Sequence, residues 1–588
     1  MKSIRVVGLS LFILGFTIFN SLFFLSSYKL TPEIVRSKIS DEQKANALLN
    51  ESAGVVDLVN TSSLKFVSDL TTALNSVNKT QVRNFGISDK EVDQLVLFSK
   101  EKFLIASVDS VFKGADELNT FKRKSFIDFG SWLDGQAVSK EDLKSVADKI
   151  NTYSIISRFG FDRYAIKDLK YSLTKASSIG PIKSNPTLFL FLTFGLCIIG
   201  SLLYILPTLE VTAGIKNDGI FFNPMKNVEW LGIVTGTWLI GFYVLLYFYP
   251  EYMTNWILMV DPVSNLLNGG EAGRFFLYGF IYTLCILIMG IRMIINYRHS
   301  KYQMLRTCSV MFFQTAFAFL IPEIMIRLNQ PYFDFKNIWP LDYSFFFNNR
   351  LDVLMANGGI GIFMLVWGLA LIIIAVPVLV YFFGKRWYCS WVCGCGGLAE
   401  TLGDPYRQLS NKKLSAWKIE RWMIHAVLVF AIVMTAGVLY TYFTNASWFL
   451  FFDTYTLREV YGSFIGAGFA GVVGTGFYPL MGNRTWCRFG CPLAAYLGII
   501  QRFKSKFRIT TNGGQCISCG NCSTYCEMGI DVRWYAQRGQ NIVRSSCVGC
   551  GVCSSVCPRG VLNLEVKEES GRFGKPILIG NNNVRLVE

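Results

Sequence analysis

Histidine and charged residues are scarce in this chain. Only 2 of 588 residues are histidine, and 17% are Asp, Glu, Lys or Arg, whereas 52% are hydrophobic. This composition excludes a disordered chain and favours a membrane protein. A bis-histidine haem would need His299 and His425 together, and single histidines beside membrane spans more often form interfacial hydrogen bonds.

Residues 29–185 lack both cysteine and histidine. The segment can therefore form no disulfide, and it lacks the usual protein ligands of haem and iron-sulfur clusters. Helical periodicity runs over Ser88–Val111 and over Ser139–Ile156, where Ser139 and Asp142 form a candidate capping pair. We expect a helical domain that senses, docks or braces, and a non-covalent organic cofactor stays open.

Eight apolar runs are long enough to cross a bilayer. The first extends from about Val6 to Phe24, with Lys2 and Arg5 before it and no small-residue cleavage pattern after it, which predicts an uncleaved anchor. The other seven runs are 187–206, 229–249, 275–296, 308–326, 357–383, 423–443 and 460–481. Pro322 and Glu323 interrupt the run 308–326.

The formal net charge of +16 belongs mainly to the flanks of these spans. This distribution excludes a nucleic-acid partner, because such binding needs a basic face on a soluble fold. Lys and Arg concentrate in every second loop, which predicts cytoplasmic loops there. The residues concerned are Arg298, Lys301, Arg306, Lys385, Arg386, Arg407, Lys412, Lys413, Lys418, Arg421, Arg484, Arg488, Arg502, Lys504, Lys506 and Arg508. Both termini should then face the cytoplasm of a bacterial inner membrane, with residues 29–185 outside it.

The predicted fold is a mostly α membrane protein of about eight transmembrane helices, with a helical extracytoplasmic domain and a small α+β two-cluster ferredoxin-like domain. Its segments are an anchor (1–28), the outer domain (29–185), helices two to five (186–355), helices six to eight (356–510), the ferredoxin-like domain (511–565) and a tail (566–588).

Thirteen of the sixteen cysteines fall between Cys389 and Cys557. The single cysteines Cys197, Cys285 and Cys308 are expected to be small packing residues. Two runs of the form C-x2-C-x2-C-x3-C stand at the C-terminal end: Cys516, Cys519, Cys522 and Cys526, then Cys547, Cys550, Cys553 and Cys557. Structural zinc would use two separated pairs instead of such runs.

These runs resemble bacterial two-cluster ferredoxins over about 50 residues, where the fourth cysteine of each run ligates the other cluster. The resemblance implies one 4Fe-4S cluster on Cys516, Cys519, Cys522 and Cys557, and a second on Cys547, Cys550, Cys553 and Cys526. One departure is Glu527, which follows Cys526 where Pro558 follows Cys557.

A second cysteine motif occurs twice, where apolar spans end. Residues 384–394 align without a gap to residues 482–492, and both copies contain Gly, Arg, aromatic residues and a C-x3-C pair. The pairs are Cys389 with Cys393 and Cys487 with Cys491, and Cys395 adds a fifth thiol. If the motif is helical, each pair shares one face, and two pairs could form a metal site or a dithiol couple. Reduced packing cysteines are the alternative.

The duplicated motif together with the double cluster resembles the membrane polyferredoxins of the NosR, NapH and CcoG type, over residues 356–565. Cys487, Cys491 and Pro492 match the C-x3-C-P pattern, whereas Gly394 stands where the first copy should have Pro. The outer domain has no clear flavin-attachment motif. The resemblance implies electron transfer between quinol or cytoplasmic donors and redox proteins beyond the membrane, or support of metalloenzyme assembly.

Electron transfer is therefore the favoured function, with protein redox partners and quinol as a further candidate. The alternative is a redox-linked sensor or assembly factor that uses the outer domain for docking. A transporter with a regulatory cluster rests only on the number of spans. No general acid, nucleophile or phosphate-binding loop stands out.

Overall fold

The computed structural model describes residues 2–99, 102–114, 116–210, 228–446, 448–449 and 451–566. The tail predicted at 566–588 lies outside these residues except for Val566. Within them the chain is mostly helical and forms two compact units. One unit consists of Ile18–Phe189 with Pro250–Met259, and the other of Met1–Thr17, Leu190–Tyr249 and Val260–Glu588.

The first unit contains the segment assigned to an outer domain. Its helices are Pro32–Lys38, Glu42–Glu51, Ser63–Phe85, Asp89–Ser99, Ile105–Val111, Glu117–Gly130, Lys140–Lys149, Ile150–Ile155, Ile156–Phe159, Arg163–Ala176 and Pro181–Ser184, and the strands Tyr28–Lys29 and Val59–Asn60 pair antiparallel. The predicted capping pair is confirmed, because Ser139 and Asp142 form a reciprocal capping box. The continuous helix expected over Ser88–Val111 is instead two helices.

The segment Pro250–Met259 belongs to the same unit, although it follows the third span in the chain. The Asn255 amide donates to the carbonyls of Leu22 and Leu25 at 2.8 and 2.9 Å, and the Trp256 indole donates to the carbonyl of Phe19 at 2.7 Å. The segment that follows the third span in the chain therefore packs against residues 19–25 of the same unit.

Seven helices in the described part of the chain are long and apolar enough to cross a membrane, which makes this a membrane protein. They are Lys2–Phe24, Pro186–Glu210, Trp230–Phe248, Arg274–Asn296, Lys301–Arg327, Gly358–Phe383 and Leu414–Thr444. The fifth span continues through Pro322 and Glu323. Within the described residues Glu323 accepts from the Asn268 amide at 2.7 Å, and Arg327 donates to the carbonyl of Leu266.

The eighth predicted span is helical but is not one of those seven. It consists of Thr454–Val460, Tyr461–Val473, Gly474–Gly476 and Tyr478–Met481. Six glycines between Tyr461 and Phe477 lower its apolar character. We call this segment the glycine-rich helix, and its crossing of the membrane stays a prediction.

The glycine-rich helix runs antiparallel to the seventh span. The hydroxyls of Thr441 and Thr454, at the end of that span and the start of the helix, are 2.8 Å apart. Beyond the other end of the helix, Arg488 donates to Glu420 near the start of the seventh span at 2.7 Å. The helix therefore leads back to the end of the bundle where the cysteines lie.

At the end of the bundle where the cysteines lie, short helices follow the sixth span and the glycine-rich helix. They are Arg386–Cys389, Gly394–Thr401, Asp404–Leu409, Trp486–Gly490 and Pro492–Lys504. The ferredoxin-like module follows, with the short helices Asn521–Thr524, Val532–Gln537 and Val552–Ser555. Its strands Phe507–Thr511 and Leu562–Val566 pair antiparallel, with Phe507 opposite Val566. Other short elements are Asp261–Leu267, Asn348–Ala356 and the paired strands Trp448–Phe449 and Phe452–Asp453.

Candidate iron-sulfur site

The two cysteine runs of the ferredoxin-like module line two separate cavities. The first contains Cys516, Cys519, Cys522 and Cys557, and we call it cavity 1. The second contains Cys526, Cys547, Cys550 and Cys553, and we call it cavity 2. In each cavity the fourth cysteine comes from the other run. The structure thus brings the cysteines together in the crossed sets that the resemblance implies.

The same local backbone builds both runs. A glycine in the left-handed region precedes each short helix, Gly520 at φ 80° and Gly551 at φ 75°. The third cysteine of the run then lies on that helix. The thiols of Cys526 and Cys557 accept the backbone N–H groups of Ile530 and Val561 at 3.4 and 3.3 Å. Such N–H donors stabilise thiolates, which are the form that binds iron.

The duplicated motif forms a third cavity. Its wall contains all five remaining cysteines of this region, namely Cys389, Cys393, Cys395, Cys487 and Cys491. We call it cavity 3. The four cysteines of the two C-x3-C pairs are between 6% and 7% exposed, so the cavity lies inside the protein.

The two cysteines of each pair do not share a helical face, contrary to the conditional expectation from their spacing. Cys389 ends one short helix, and Cys393 is the N-cap residue of the next helix, Gly394–Thr401. In the second copy Cys491 is likewise the N-cap of Pro492–Lys504, and its thiol accepts the N–H of Ala494 at 3.4 Å. A helix N-terminus favours negative charge, so both second cysteines are placed where a thiolate is stabilised.

The backbone is repeated between the copies. The N–H of Cys393 donates to the carbonyl of Tyr388 at 2.8 Å, and that of Cys491 donates to the carbonyl of Trp486 at 2.9 Å. Both copies begin with a glycine at positive φ, and at Gly482 a Cβ atom would lie 2.7 Å from the backbone nitrogen of Ser410. The alignment of the two sequences therefore reflects two equivalent structures.

The departure at Gly394 lies beside buried polar side chains. A Cβ atom there would lie 2.8 Å from Oε1 of Gln314 and 3.4 Å from Nζ of Lys336, so a larger residue requires the Gln314 side chain to move. The adjacent extra thiol, Cys395, contacts Cys393, and this contact lowers the pKa of Cys393 while it raises that of Cys395. Cys395 thus favours a thiolate at its neighbour.

The cavities fit a cluster that supplies positive charge. Burial raises the pKa of Cys389 and of Cys522 to about 12, so thiolates at these positions need a bound metal to be stable. Trp486 is 6% exposed and lines cavity 3, and among the described residues its indole N–H has no hydrogen-bond partner. A cluster sulfide would provide the missing acceptor.

A buried charge network lies between cavities 2 and 3, and the sequence analysis missed it. Two carboxylates, Glu400 and Glu527, are surrounded by Arg306, Arg407 and Arg484, and each of the five side chains is at most 3% exposed. Arg407 reaches Glu527 at 2.6 Å and Glu400 at 3.2 Å. Arg484 reaches Glu400 at 2.5 Å and Glu527 at 3.1 Å. Arg306 also pairs with Glu400.

This network contacts the cysteines directly. Glu527 follows Cys526 of cavity 2 in the chain, while Arg484 donates to the carbonyl of Cys389 at 3.3 Å and to the thiol of Cys487 at 3.5 Å. Glu400, Glu527 and Cys550 have ligand atoms within 4.8 Å of one another. Because three arginines already neutralise the two carboxylates, this group is an ion-pair network rather than a cation site. The only sequence signal was the arginine common to both motif copies.

Side chains of the fifth span and of the helices around the duplicated motif hydrogen-bond to the backbone of the loop 547–550, which lines cavity 2. Tyr302 and Gln303, at the start of the fifth span, donate to the carbonyls of Gly549 and Cys550 at 2.9 and 2.8 Å. Ser390 and Gln501 donate to Val548 and Cys547, both at 2.8 Å. Cavity 2 is therefore fixed against the duplicated motif.

Exposure differs among the cavities. Cys519 of cavity 1 is exposed, whereas Cys547 and Cys553 of cavity 2 are buried. Neither histidine lies in a cavity wall: His299 contacts the carbonyl of Ser555 at 3.3 Å, and His425 lies within the seventh span. The cysteines thus account for the metal-binding capacity seen in this part of the chain.

Comparison with known proteins gives the same chemistry. Residues 366–416 and 464–510 match a family described as "4Fe-4S binding domain", and residues 515–562 match one described as "4Fe-4S dicluster domain". The chain is 26% identical over 170 residues to the "Putative electron transport protein YccM" of Escherichia coli (strain K12). That match covers 28% of this chain and 47% of the relative, so the chain spans about half of the relative's length. No solved structure matches significantly.

The first family match covers both copies of the duplicated motif, which places cavity 3 within an iron-sulfur domain. The second covers all eight cysteines of the ferredoxin-like module. The protein is therefore a membrane protein with 4Fe-4S domains, and an iron-sulfur electron-transfer role is supported.

Proposed function

We propose that this protein passes electrons through three 4Fe-4S clusters between a cytoplasmic or quinol donor and a redox partner in or beyond the membrane. The proposal rests on the three cysteine-lined cavities and on a connection between two of them. Glu527 follows Cys526 of cavity 2 in the chain, and it contacts Arg484 beside cavity 3. When bound, the clusters supply one-electron chemistry. The protein residues hold them close together and exclude water.

The ligands of the two clusters of the ferredoxin-like module are the crossed sets of cysteines in cavities 1 and 2. For cavity 3 we assign Cys389, Cys393, Cys487 and Cys491, because these four occupy equivalent positions in the two motif copies. Cys395 has no counterpart in the second copy, so it is left as a neighbouring thiol. The partnerless indole N–H of Trp486 supports a sulfide-containing group here.

The topology follows the predicted one, with eight crossings, both termini in the cytoplasm of a bacterial inner membrane and residues 29–185 outside. The antiparallel course of the glycine-rich helix supports the eighth crossing. Cavities 1 and 2 then lie on the cytoplasmic side, where disulfides do not compete for the thiols. This arrangement resembles the NosR, NapH and CcoG type of membrane polyferredoxin.

Quinol exchange is supported by a column of tyrosines inside the bundle. The rings of Tyr282, Tyr278, Tyr243 and Tyr247 follow one another at centroid separations of 5.4, 5.9 and 6.3 Å. The column begins beside cavity 3, because a Cβ atom built on Gly394 would lie 3.6 Å from the Tyr282 hydroxyl. Phenol hydroxyls can donate to quinone oxygens.

Iron analysis tests the three-cluster assignment. Iron and acid-labile sulfide are measured per chain after anaerobic purification in detergent, with electron paramagnetic resonance before and after dithionite. We expect about 12 irons in the wild-type protein and about 8 in Cys487→Ser, since each cluster holds four.

The matched control for this experiment is Cys395→Ser, which changes a thiol of the same cavity but should keep about 12 irons. About 8 irons in the wild type would show that cavity 3 holds no cluster. If the cluster of cavity 3 relays the electrons, quinol should no longer reduce the clusters of cavities 1 and 2 in Cys487→Ser. Unchanged reduction of these two clusters would contradict the relay.

A further inference from the structure

A groove of about 590 Å³ lies beside the ferredoxin-like module. Four cationic residues line it, Lys412 and Lys413 before the seventh span, Arg502 near the end of Pro492–Lys504, and Arg544. We call it the basic groove. Its size falls within the range of small-molecule sites, about 300 to 1,000 Å³.

The cations of the basic groove differ from the arginines of the buried network. In the part of the chain that the structure describes, none of the four forms an ion pair with a carboxylate, whereas Arg306, Arg407 and Arg484 all do. One carboxylate, Asp531, lines the groove, and it accepts a hydrogen bond from Ser523 at 2.6 Å. The groove therefore has an excess of positive charge that an anion can neutralise.

Aromatic side chains flank these cations. Trp417 and Trp534 line the groove, and the guanidinium of Arg544 lies 5.3 Å from the Trp417 ring centroid. Trp534 is 43% exposed, and the guanidinium of Arg538 lies 4.1 Å from its ring centroid, so at most one face of the ring is open to a planar ligand. Rings beside cations are suited to a flat aromatic group that carries a phosphate.

The groove adjoins both clusters of the module. Gly529 lines it, while the neighbours Met528 and Ile530 line cavity 2. The helix Val532–Gln537 has a similar division, because Trp534 lines the groove and Arg533 lines cavity 1. Residues that are neighbours in the chain thus line the groove on one side and the two cluster cavities on the other.

We propose that the basic groove binds a flavin nucleotide that exchanges single electrons with the two clusters of the module. A phosphate would contact the cations, and the flavin ring would pack against the tryptophans. A nicotinamide nucleotide carries similar charge, but it gives up two electrons as a hydride, which a 4Fe-4S cluster cannot accept in one step. A flavin can release its electrons one at a time.

In the forward step, the anionic reduced flavin gives one electron to an oxidised cluster and becomes the neutral one-electron-oxidised flavin. No bond to the protein forms or breaks, and no proton moves. The second electron leaves after the cluster has passed on the first, and the N5 proton is then released to water. This electron step rests on the proposed function, whereas the binding step does not.

Binding is tested on the full-length protein in detergent by titration with FMN, followed by quenching of flavin fluorescence. We expect saturable FMN binding, at least tenfold tighter than that of riboflavin, which lacks the phosphate. The double variant Lys413→Glu/Arg502→Glu should weaken FMN binding at least tenfold, because it places two acids on an anion site. Both residues are exposed, so the fold and the iron content should persist.

The matched control is Lys418→Glu/Lys504→Glu, which reverses two charges on exposed residues of the seventh span and of Pro492–Lys504 outside the groove lining. It should leave FMN affinity within twofold of wild type. Absence of saturable binding, or equal weakening by the control, would overturn the proposal. Displacement of FMN by phosphatidylglycerol in mixed micelles would also overturn it and identify a lipid-headgroup site.

A second measurement separates this proposal from the proposed function. Photoreduced FMN should reduce the clusters at least tenfold more slowly in the double variant, while dithionite reduces both proteins equally. If FMN binds but reduces no cluster that dithionite reduces, the electron step is wrong. If dithionite reduces no cluster at all, the electron-transfer function fails independently of the groove.

Discussion

The two copies of the cysteine motif share a backbone but differ in charge environment. Arg386 of the first copy is half-exposed and lies 4.5 Å from the ring centroid of Phe507. Arg484, at the same position of the second copy, is fully buried between Glu400 and Glu527. The repeated backbone thus positions the thiols of both copies, while the residues around each copy determine whether its arginine forms buried ion pairs or a surface contact.

The largest expected difference between the copies concerns their arginines. Arg484→Ala leaves two buried carboxylates short of a partner and should cost about 3 to 5 kcal/mol of stability. Arg386→Ala removes a cation-π contact and should cost about 1 kcal/mol. The measurement is the fraction of protein that stays folded after heating in detergent. Similar losses for both variants would contradict the assigned difference in burial.

The next difference concerns the residue after the second cysteine. Gly394→Ala forces Gln314 to move and should cost about 1 to 3 kcal/mol, because cavity 3 and its surroundings are closely packed. Pro492→Ala increases the freedom of the unfolded chain and removes part of a buried ring, and it should cost about 1 to 2 kcal/mol. Denaturant midpoints in detergent would compare them. A larger cost at Pro492 would show that the proline, not the glycine, limits the motif.

The smallest expected difference concerns the residue after the first glycine. The charge of Lys385 acts on Cys389 and on Cys547, whereas the equivalent Asn483 is neutral and donates to Glu527 at 3.2 Å. A nearby cation stabilises the reduced, more negative form of a cluster. Lys385→Met should therefore lower the midpoint potential of the cluster in cavity 2 or cavity 3 by about 40 mV, which is equivalent to about 1 kcal/mol for one electron.

Redox titration followed by electron paramagnetic resonance would measure that shift. Asn483→Ala is the neutral control and should leave the potential of cavity 3 within the error of the titration. A rise in potential in Lys385→Met would mean that the lysine stabilises the oxidised cluster, contrary to the sign expected from its charge.

Local patterns in the sequence predicted much of this structure. The resemblance to two-cluster ferredoxins, based on the spacing of Cys516 to Cys557, implied the crossed sets in which the structure brings these cysteines together. The apolar runs predicted all seven spans, since length and hydropathy are local properties. The equivalence of the motif copies was also visible, from eleven aligned residues.

The buried charge network could not be predicted in this way. Its members, Arg306, Glu400, Arg407, Arg484 and Glu527, are distant in the chain, and a carboxylate partner far away in sequence leaves no local signal. Four arginines counted as cytoplasmic surface charge, Arg306, Arg407, Arg484 and Arg488, are in fact buried and paired. The loop charge bias thus contains residues with an internal role.

Glu527 shows the same limit at a single position. In the sequence it stands only as a substitution for the proline that follows the second run. In the structure its side chain is 0% exposed, and it contacts Arg407, Arg484 and Asn483. A proline there would leave the three without their common acceptor, which explains the departure.

The glycine-rich helix has a consequence for how the chain assembles. Tyr343 and Tyr247 pack so closely on it that a Cβ at Gly466 would lie 2.8 Å from the Tyr343 hydroxyl, and one at Gly471 would lie 2.4 Å from the Tyr247 ring. Because glycine gains little from lipid, the helix is held chiefly by these neighbours. If this helix crosses the membrane as predicted, we expect it to insert only after the earlier spans that supply these neighbours are in place.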